Sequence, residues 1–494
     1  MIPIFRHQNP HRRGRRGFDA PRAPTPNPEG KAAMLSLLIL KELRAHVLSY
    51  RFVLSFLLFF VLVVSSIQVI ALNYDRQLAS FTEAQRAQEE KLKEGTDFRS
   101  FQWAGYTVDR RPNPLSVFAM GLEKEMARSV TVSANRDAKL GRSKYPNPLF
   151  VLFPAPDLLY IVNIVASLLA ILFAFDAVCG EAEEGTLKLI MANSVPRHAV
   201  LLAKWIGGYL ALIVPFLASF GVALFFSLLT TDLTFTGAEW LNLLGMLGTS
   251  ALYISVFFLL GLMVSTLVHR SATSLVVNFL VWVLLVLVVP NTAPIVARAV
   301  VPVPSAGVLG GQREAIQRSA WEGMRPQRGQ RVSSEERQKL FDAVQAKVRE
   351  QTGKLVADYM QKVDRQISVG VMLARLSPSA SYVYATAGLA GSGLESFGDL
   401  RQYIQRYREE FAAKVREISM TRQRQAESAG DASERQEIMN APVTAEELPR
   451  FNPGSASLGN ALTAGQTDLI ILALLNVVFF LGAYTGFLRY DLMK

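Results

Sequence analysis

Six long apolar stretches constrain the fold of this chain more than any other feature of its sequence. They are residues 52–72, 158–178, 205–229, 241–268, 274–297 and 469–488. Since an α-helix rises about 1.5 Å per residue, each stretch can cross the about 30 Å hydrocarbon core of a bilayer. Only 19% of the 494 residues are charged and 50% are apolar, which is typical of membrane proteins. We therefore predict a mainly α-helical polytopic membrane protein with six transmembrane helices.

Lys and Arg residues near the ends of these stretches predict the orientation of the chain. Ten of them flank the ends that we assign to the inner side, whereas the short connection at residues 230–240 has none. Because positive residues favour the cytoplasmic side, both termini are predicted to be cytoplasmic. Two long segments, residues 73–157 and 298–468, are then extracytoplasmic.

Residues 1–33 form a basic, proline-rich tail with seven Lys or Arg and two acidic residues. It has too few large apolar residues to offset the entropy of ordering, so we predict that it is disordered. The pair Arg15-Arg16 is also found in twin-arginine export signals, but Asp19 and several prolines follow where an apolar region should begin. Translation from Met34 is an alternative that would remove the tail.

The segment 298–468 carries mixed charges, typical of a solvated surface rather than of a nucleic-acid interface. A capping box at residues 333–336 precedes an apolar stripe at residues 340–367, and a second stripe follows at residues 400–418. We expect a helical extracytoplasmic domain in which the two stripes pack against each other as a hairpin. The apolar connection at residues 376–393 either dips back toward the membrane or forms a packed turn.

No residue pattern predicts an enzyme, a cofactor site or a metal site. The single cysteine and five scattered histidines lack metal-ligand spacing and any nucleophile–base pairing. Residues 180–186 imitate the spacing of a phosphate-binding loop, but Thr186 stands in the lysine position and three glutamates would repel phosphate. The near absence of ionisable residues from the spans disfavours an ion-coupled carrier. A pump of this kind would take its energy from another subunit.

The connection between the second and third spans, residues 179–204, is the most distinctive segment. Its length of about 26 residues exceeds the two to eight of an ordinary helix–helix linker. It reads Gly180-Glu181-Ala-Glu-Glu184-Gly185-Thr186-Leu187, then Val195-Pro196-Arg197 and Ala203-Lys204. This pattern resembles the permease subunits of ABC exporters of the type 2 class, specifically the subset with a large extracytoplasmic insertion between the fifth and sixth spans.

The resemblance implies that this connection couples the protein to a separate ATPase. The residues expected to form the ATPase-coupling site are Glu181, Glu184, Gly185, Thr186, Leu187, Pro196, Arg197 and Lys204. It also implies an amphipathic helix at residues 34–51 along the inner membrane surface. We expect a non-catalytic permease of a bacterial inner membrane. Its expected partners are ABC ATPase subunits, a second permease copy or paralogue and membrane lipids, with a periplasmic partner as a further option and no nucleic acid.

An alternative function is that of a membrane-anchored sensor or scaffold, whose extracytoplasmic helical domain binds a ligand or a partner protein. Six spans exceed what an anchor requires, and the sequence carries no recognisable cytoplasmic output domain. An adjacent ATPase gene would favour the exporter over the sensor. The sequence does not predict the transported substrate.

Overall fold

The structure is a computed structural model that describes residues 28–93, 101, 105–134, 138–141, 156–192, 195–322, 333–441, 443, 447–453 and 458–490. Of the predicted disordered tail, residues 1–27 lie outside the described residues. Residues 28–33, which we had assigned to that tail, belong instead to the first helix, α1, which is Pro28–Val47. The described part of the chain is mainly α-helical, as predicted.

Helices of the first half of the chain alternate between long spans and short connections. They are α2 (Tyr50–Lys93), α3 (Leu158–Tyr160, Ile161–Ala166 and Ser167–Ala174), α4 (Cys179–Glu183), α5 (Thr186–Ala192), α6 (Arg197–Thr230) and α7 (Gly237–Leu267). Because α2 has 44 residues, it extends about 66 Å and continues well beyond the predicted span at residues 52–72.

The second half of the chain has one composite span, a helical insertion and the last span. These are α8 (Ser271–Trp282, Val283–Val288 and Val289–Val300), α9 (Ala306–Glu322), α10 (Ser334–Ala374), α11 (Pro378–Leu389), α12 (Leu394–Ser428), α13 (Ala432–Asn440) and α14 (Leu458–Arg489). Six helices of the described chain are long and apolar enough to cross a membrane, namely α2, α3, α6, α7, α8 and α14. The predicted number of spans is therefore confirmed.

Helix α7 is the most buried of the six spans and lies at the centre of the bundle. Its buried side chains include Tyr253, Phe257 and Phe258, which are all 0% exposed. A capping box at Thr236 and Glu239 fixes its first turn. Since this helix packs against α3, α11 and α14, it is the common contact of the bundle.

A three-stranded antiparallel sheet lies in the segment between the first and second spans, where we had predicted no particular structure. Its strands are β1 (Tyr106–Asp109), β2 (Ser129–Val132) and β3 (Lys139–Gly141), in the order β1-β2-β3. The buried side chains of β2, Val130 and Val132, alternate with partly exposed ones, as expected for a sheet covered on one face.

The predicted pairing of the two apolar stripes is wrong. The buried stripe of α12 packs against the sheet instead, and both belong to one apolar cluster with Phe101, Val130 and Phe411. Helix α10 packs along α9 and the C-terminal part of α8, Val289–Val300, and its stripe stays partly exposed, with Leu340 at 41% and Ile367 at 42%. One apolar face of the sheet covers the stripe of α12, and the stripe itself did not indicate which element would cover it.

The apolar connection between α10 and α12 contains helix α11, which packs among the spans. Ten of its twelve residues are buried, and it lies against α7 and α14. The Tyr382 ring stacks on Tyr253 with centroids 4.4 Å apart, and its hydroxyl lies 3.2 Å from the Ser250 hydroxyl. Of the two arrangements left open by the sequence, the structure shows the one in which this connection enters the bundle.

Candidate functional site at the 179–204 connection

The candidate site lies at the end of the bundle that carries residues 179–204, which we call the loop end. The other end, with the described residues among 105–141 and 301–466, is called the insertion end. At the loop end the second span breaks after Ala174, and two short helices, α4 and α5, follow before the third span begins. The break is held by Ser265 of α7, whose hydroxyl accepts hydrogen bonds from Val178 N at 3.0 Å and Cys179 N at 3.2 Å.

Gly185 makes the elbow between α4 and α5. Its φ of +76° is in the left-handed region, which favours glycine because it has no Cβ. The Thr186 hydroxyl donates to the Glu181 carbonyl at 3.2 Å and closes the same turn. Leu187, at 0% exposure, anchors the first turn of α5 in the core of the bundle. These three residues, all part of the predicted site, therefore shape the elbow.

A cluster of four charged groups, Lys41, Glu42, Glu181 and Lys204, ties the elbow to α1. We call it the ionic cluster. The Lys204 ammonium, only 2% exposed, lies 2.7 Å from Glu181 Oε2 and 3.6 Å from Glu42 Oε1. The more exposed Lys41 lies 3.1 Å from Glu42 Oε1 and 3.5 Å from Glu181 Oε1. A buried ammonium needs such partners, because its desolvation is costly without them.

The electrostatics of α1 follow from this cluster. Burial alone would raise the pKa of the Glu42 carboxyl, but Lys204 and Lys41 outweigh it and hold that pKa below its usual range. Burial would lower the pKa of Lys41, but Glu42 and Glu181 hold it above its usual value. Both groups are therefore charged at neutral pH, so α1 is attached to the elbow by opposite charges.

His46 is the other titratable group between α1 and the bundle. Its ring stacks on Phe173 with centroids 5.6 Å apart and an interplanar angle of 26°. Burial is the main reason that its pKa lies below the usual value, and Lys204 and Arg51 lower it further, against the opposing effects of Glu42 and Asp176. The neutral imidazole is thus the form that suits this contact.

Two further contacts fix the elbow from neighbouring spans. Arg51, at the start of α2, donates to Asp176 in a two-pronged pair, with Nη2 to Oδ2 at 2.7 Å and Nη1 to Oδ1 at 3.2 Å. Glu183 accepts from Ser271 N at 3.2 Å and from the Ser271 hydroxyl at 2.5 Å, and so caps the first turn of α8. Five helices, α1, α2, α6, α7 and α8, therefore hold the 176–187 region.

Arg197 and Pro196 begin the third span. Pro196 has extended backbone and precedes the first turn of α6. The Arg197 guanidinium donates to the carbonyls of Phe487 and Leu488, the latter at 2.8 Å, and so caps the last turn of α14. Residues 193 and 194 of the predicted site segment lie outside the described residues.

The elbow also has a set of exposed side chains. Glu184, Thr186 and Lys188 are exposed, and the apolar Leu189 is 69% exposed. We call these four residues the elbow surface. Among the described residues, no group of three or more His, Cys, Asp or Glu side chains is placed to hold a metal ion.

Six of the eight predicted site residues divide into two sets, whereas Gly185 and Pro196 shape the backbone at the elbow and before α6. Glu184 and Thr186 lie on the elbow surface, whereas Glu181, Leu187, Arg197 and Lys204 face the protein and hold the elbow in place. The pairing of Glu42 and Asp176 with basic side chains was not predicted. The signal was available, because Lys204 lies in an otherwise apolar helix and requires an acidic partner. Contact of any of these residues with an ATPase stays a prediction.

Comparison with known families agrees with this architecture. A family model described as "ABC-2 family transporter protein" matches residues 37–492, which is nearly the whole chain. The chain therefore belongs to the ABC-2 family of transporter membrane proteins, and its six apolar spans make it a multi-pass membrane protein of that family. A search of curated proteins found no match to this chain.

Proposed function

We propose that this chain is the permease subunit of an ATP-driven ABC exporter in a bacterial inner membrane. Two such permeases, as identical copies or as a pair of paralogues, form the translocation path, and both termini and the loop end lie in the cytoplasm. Separate ATPase subunits bind the elbow surface and supply the energy. The chain itself performs no covalent chemistry.

The single observation that carries this proposal is the attachment of the elbow. An elbow that served only as a linker would need few contacts. This one is held by the ionic cluster, by the pair of Arg51 with Asp176, and by the hydrogen bond that Glu183 of α4 accepts from Ser271 of α8. Because the residues that hold the elbow belong to five helices, a push on the elbow surface moves α1 and several spans together. This is the mechanical property that coupling to an ATPase requires.

Charge reversal on the elbow surface tests the proposed ATPase contact. Glu184 is exposed and has no role in holding the elbow, so Glu184→Arg changes the surface charge without disturbing the fold. We expect the affinity of the partner ATPase for the variant to fall at least about a hundredfold, since like charges across an interface cost several kcal/mol. The measurement is the amount of ATPase retained on the tagged permease.

Glu89→Arg is the matched control, because Glu89 is an exposed acidic residue on the far part of α2, away from the loop end. It should leave copurification unchanged. Equal retention of the ATPase by both variants would mean that the elbow surface is not the docking site. In a second experiment, the purified permease alone should hydrolyse no ATP. Hydrolysis by the chain alone would refute the proposal that a separate subunit hydrolyses ATP.

A further inference from the structure

A cavity of about 1280 Å³ lies at the insertion end of the bundle. Its walls come from the start of α3, the outer end of α8, the last turns of α10 and the exposed side of α11. The residues that define these walls are Tyr160, Ala297, Val371, Val383 and Tyr384. The volume exceeds the about 300–1,000 Å³ of typical drug-sized ligand sites.

Contacts with the spans show that the wall formed by α10 and α11 reaches down into the bundle. A Cβ on Gly370 would lie 3.4 Å from the Ala297 Cβ, so α10 runs close beside α8. The turn that follows α10 donates a hydrogen bond from the Ser377 hydroxyl to the Leu285 carbonyl, halfway along α8. The Ser379 hydroxyl donates to Asn163 Oδ1 of α3 at 2.7 Å. The cavity above this turn is therefore lined by helices that lie at membrane depth.

One charged group offers hydrogen bonds to a ligand in this cavity. Arg375 binds Asp468 with Nε to Oδ1 at 2.8 Å and Nη2 to Oδ2 at 2.9 Å. Asp468 is 1% exposed, whereas the Arg375 side chain is 31% exposed. Among the described residues no acceptor binds Arg375 Nη1. The buried carboxylate thus holds a guanidinium whose remaining donors are available in the cavity.

The other charged groups of the lining do not attract a cation. The two oxygens of Asp157, which is 8% exposed, accept from Tyr160 N at 2.9 Å and from Met120 N at 2.8 Å. Lys124 and Glu395 are exposed at the rim and have opposite charges. Arg375 is therefore the group that selects the ligand, and it selects an acceptor such as a phosphate or ester oxygen.

The depth of Arg375 matches the level where lipid headgroups meet their chains. Its partner Asp468 lies in α14 and directly precedes the predicted apolar stretch at residues 469–488. The apolar walls below it belong to α3, α8 and α11, and Tyr160, at 54% exposure, lies on the rim as interfacial tyrosines do. An apolar cavity at membrane depth with a basic group at the interface suits a lipid.

We propose that this cavity binds an amphipathic lipid from the membrane leaflet at the insertion end, with acyl chains against Val371 and Val383 and headgroup oxygens on Arg375. This inference rests on the proposed export function and names its substrate class as lipidic. A lipid reaches the cavity laterally along the exposed outer end of α8, where Ile295 is 68% exposed.

Photolabelling tests this proposal on the full chain in lipid nanodiscs. The probe is a phosphatidylethanolamine with a diazirine in one acyl chain, and labelled peptides are identified by mass spectrometry. We expect label on peptides that contain Tyr160, Val371 and Val383 in clear excess over peptides of α6. Unlabelled phospholipid should compete for these positions. Uniform labelling of all spans would overturn the proposal. So would labelling that an added apolar peptide reduces and added phospholipid does not.

Four variants, one of them a control, sharpen the measurement. Val383→Trp fills the cavity and should reduce labelling to the level of α6 peptides, whereas Val214→Trp, at a 55% exposed position of α6, should change nothing. If Val383→Trp does not fold, Ser368→Trp fills the cavity from an exposed position of α10. Arg375→Lys keeps the charge for Asp468 but loses the forked donors, so probe affinity should fall about tenfold. Unchanged labelling in the cavity-filling variant that folds would refute the assignment.

The labelling needs no ATPase, so its result is independent of the copurification experiment. Lipid labelling of the cavity without ATPase binding to the elbow would leave the site intact and refute the exporter. ATPase binding without lipid labelling would refute only the substrate class.

Discussion

Removal of the buried ammonium at Lys204 is the most direct test of how the elbow is held. Lys204→Met keeps much of the side-chain volume and removes the charge that lies 2.7 Å from Glu181 and 3.6 Å from Glu42. The two carboxylates are then left close together, with side chains only 20% and 11% exposed. Their mutual repulsion and incomplete hydration should separate α1 from the elbow.

The expected magnitude follows from the burial of the partners. Breaking a buried ion pair by removing one partner costs about 3–5 kcal/mol. Lys41 stays within 3.5 Å of both carboxylates and compensates part of the charge, so we expect a value near the lower end, about 3 kcal/mol. If amide exchange in α1 follows the local opening equilibrium, this corresponds to a rate increase of about 150-fold.

Hydrogen–deuterium exchange on the purified permease measures this change, with peptides of α1 and α4 as reporters. Lys41→Met is the matched control, because this lysine is 48% exposed and exposed ion pairs contribute only about 0–1 kcal/mol. The triple variant with Lys204→Met, Glu42→Gln and Glu181→Gln removes all three buried charges and should restore most of the protection. Equal amide exchange in the Lys204→Met and Lys41→Met variants would refute the reasoning. So would a triple variant whose α1 exchanges as fast as in Lys204→Met.

Two further predictions concern other parts of the molecule. Because the folded pKa of His46 lies below its usual 6.5, the separated state binds the proton more readily, so the attachment of α1 weakens as pH falls below about 6.5. Amide exchange in α1, corrected for the intrinsic pH effect, should rise between about pH 7.5 and about pH 5.5, and His46→Gln should remove this dependence. Phe411→Ala should destabilise the sheet and α12 by about 3–5 kcal/mol, since Phe411 is 0% exposed. Exchange in β2 measures this, and Met420→Ala, at a 56% exposed position, should have little effect.

Length and hydropathy were sufficient to predict the spans, because a helix in a bilayer must satisfy its backbone within the same segment. The asparagines within the spans show where this reasoning stops. Asn163 bonds to Tyr253 of α7 and Asn476 bonds to the Leu252 carbonyl, as polar residues between helices do, but Asn278 bonds to Ser274 of its own helix. Sequence identifies a polar residue that needs a partner, but not which partner the packing provides.

The insertion was harder to predict for a related reason. An apolar stripe on an amphipathic helix predicts that one face is covered, but not what covers it. The stripe of α12 is covered by a sheet from residues 106–141, far away in the sequence, and the strands that form this sheet are only three or four residues long. Such short strands give a weak pattern in the sequence. The pairing of Arg375 with Asp468 is likewise invisible without the fold, since 93 residues separate them.

The second span links the two sites that we propose. Its loop end continues into Asp176 and α4, which are held by Arg51 and the ionic cluster, and its other end contributes Asp157, Leu159 and Tyr160 to the cavity. Between them lies the π-helical segment Ile161–Ala166, and such segments are frequent at functional positions because they leave backbone groups available. Here the Asn163 carbonyl accepts from the Tyr253 hydroxyl at 3.1 Å, in addition to the bonds of the Asn163 side chain. The turn at residues 175–178 joins this span to α4 and the elbow. We therefore propose that an ATPase that displaces the elbow moves the second span, and with it the wall of the cavity that holds the lipid.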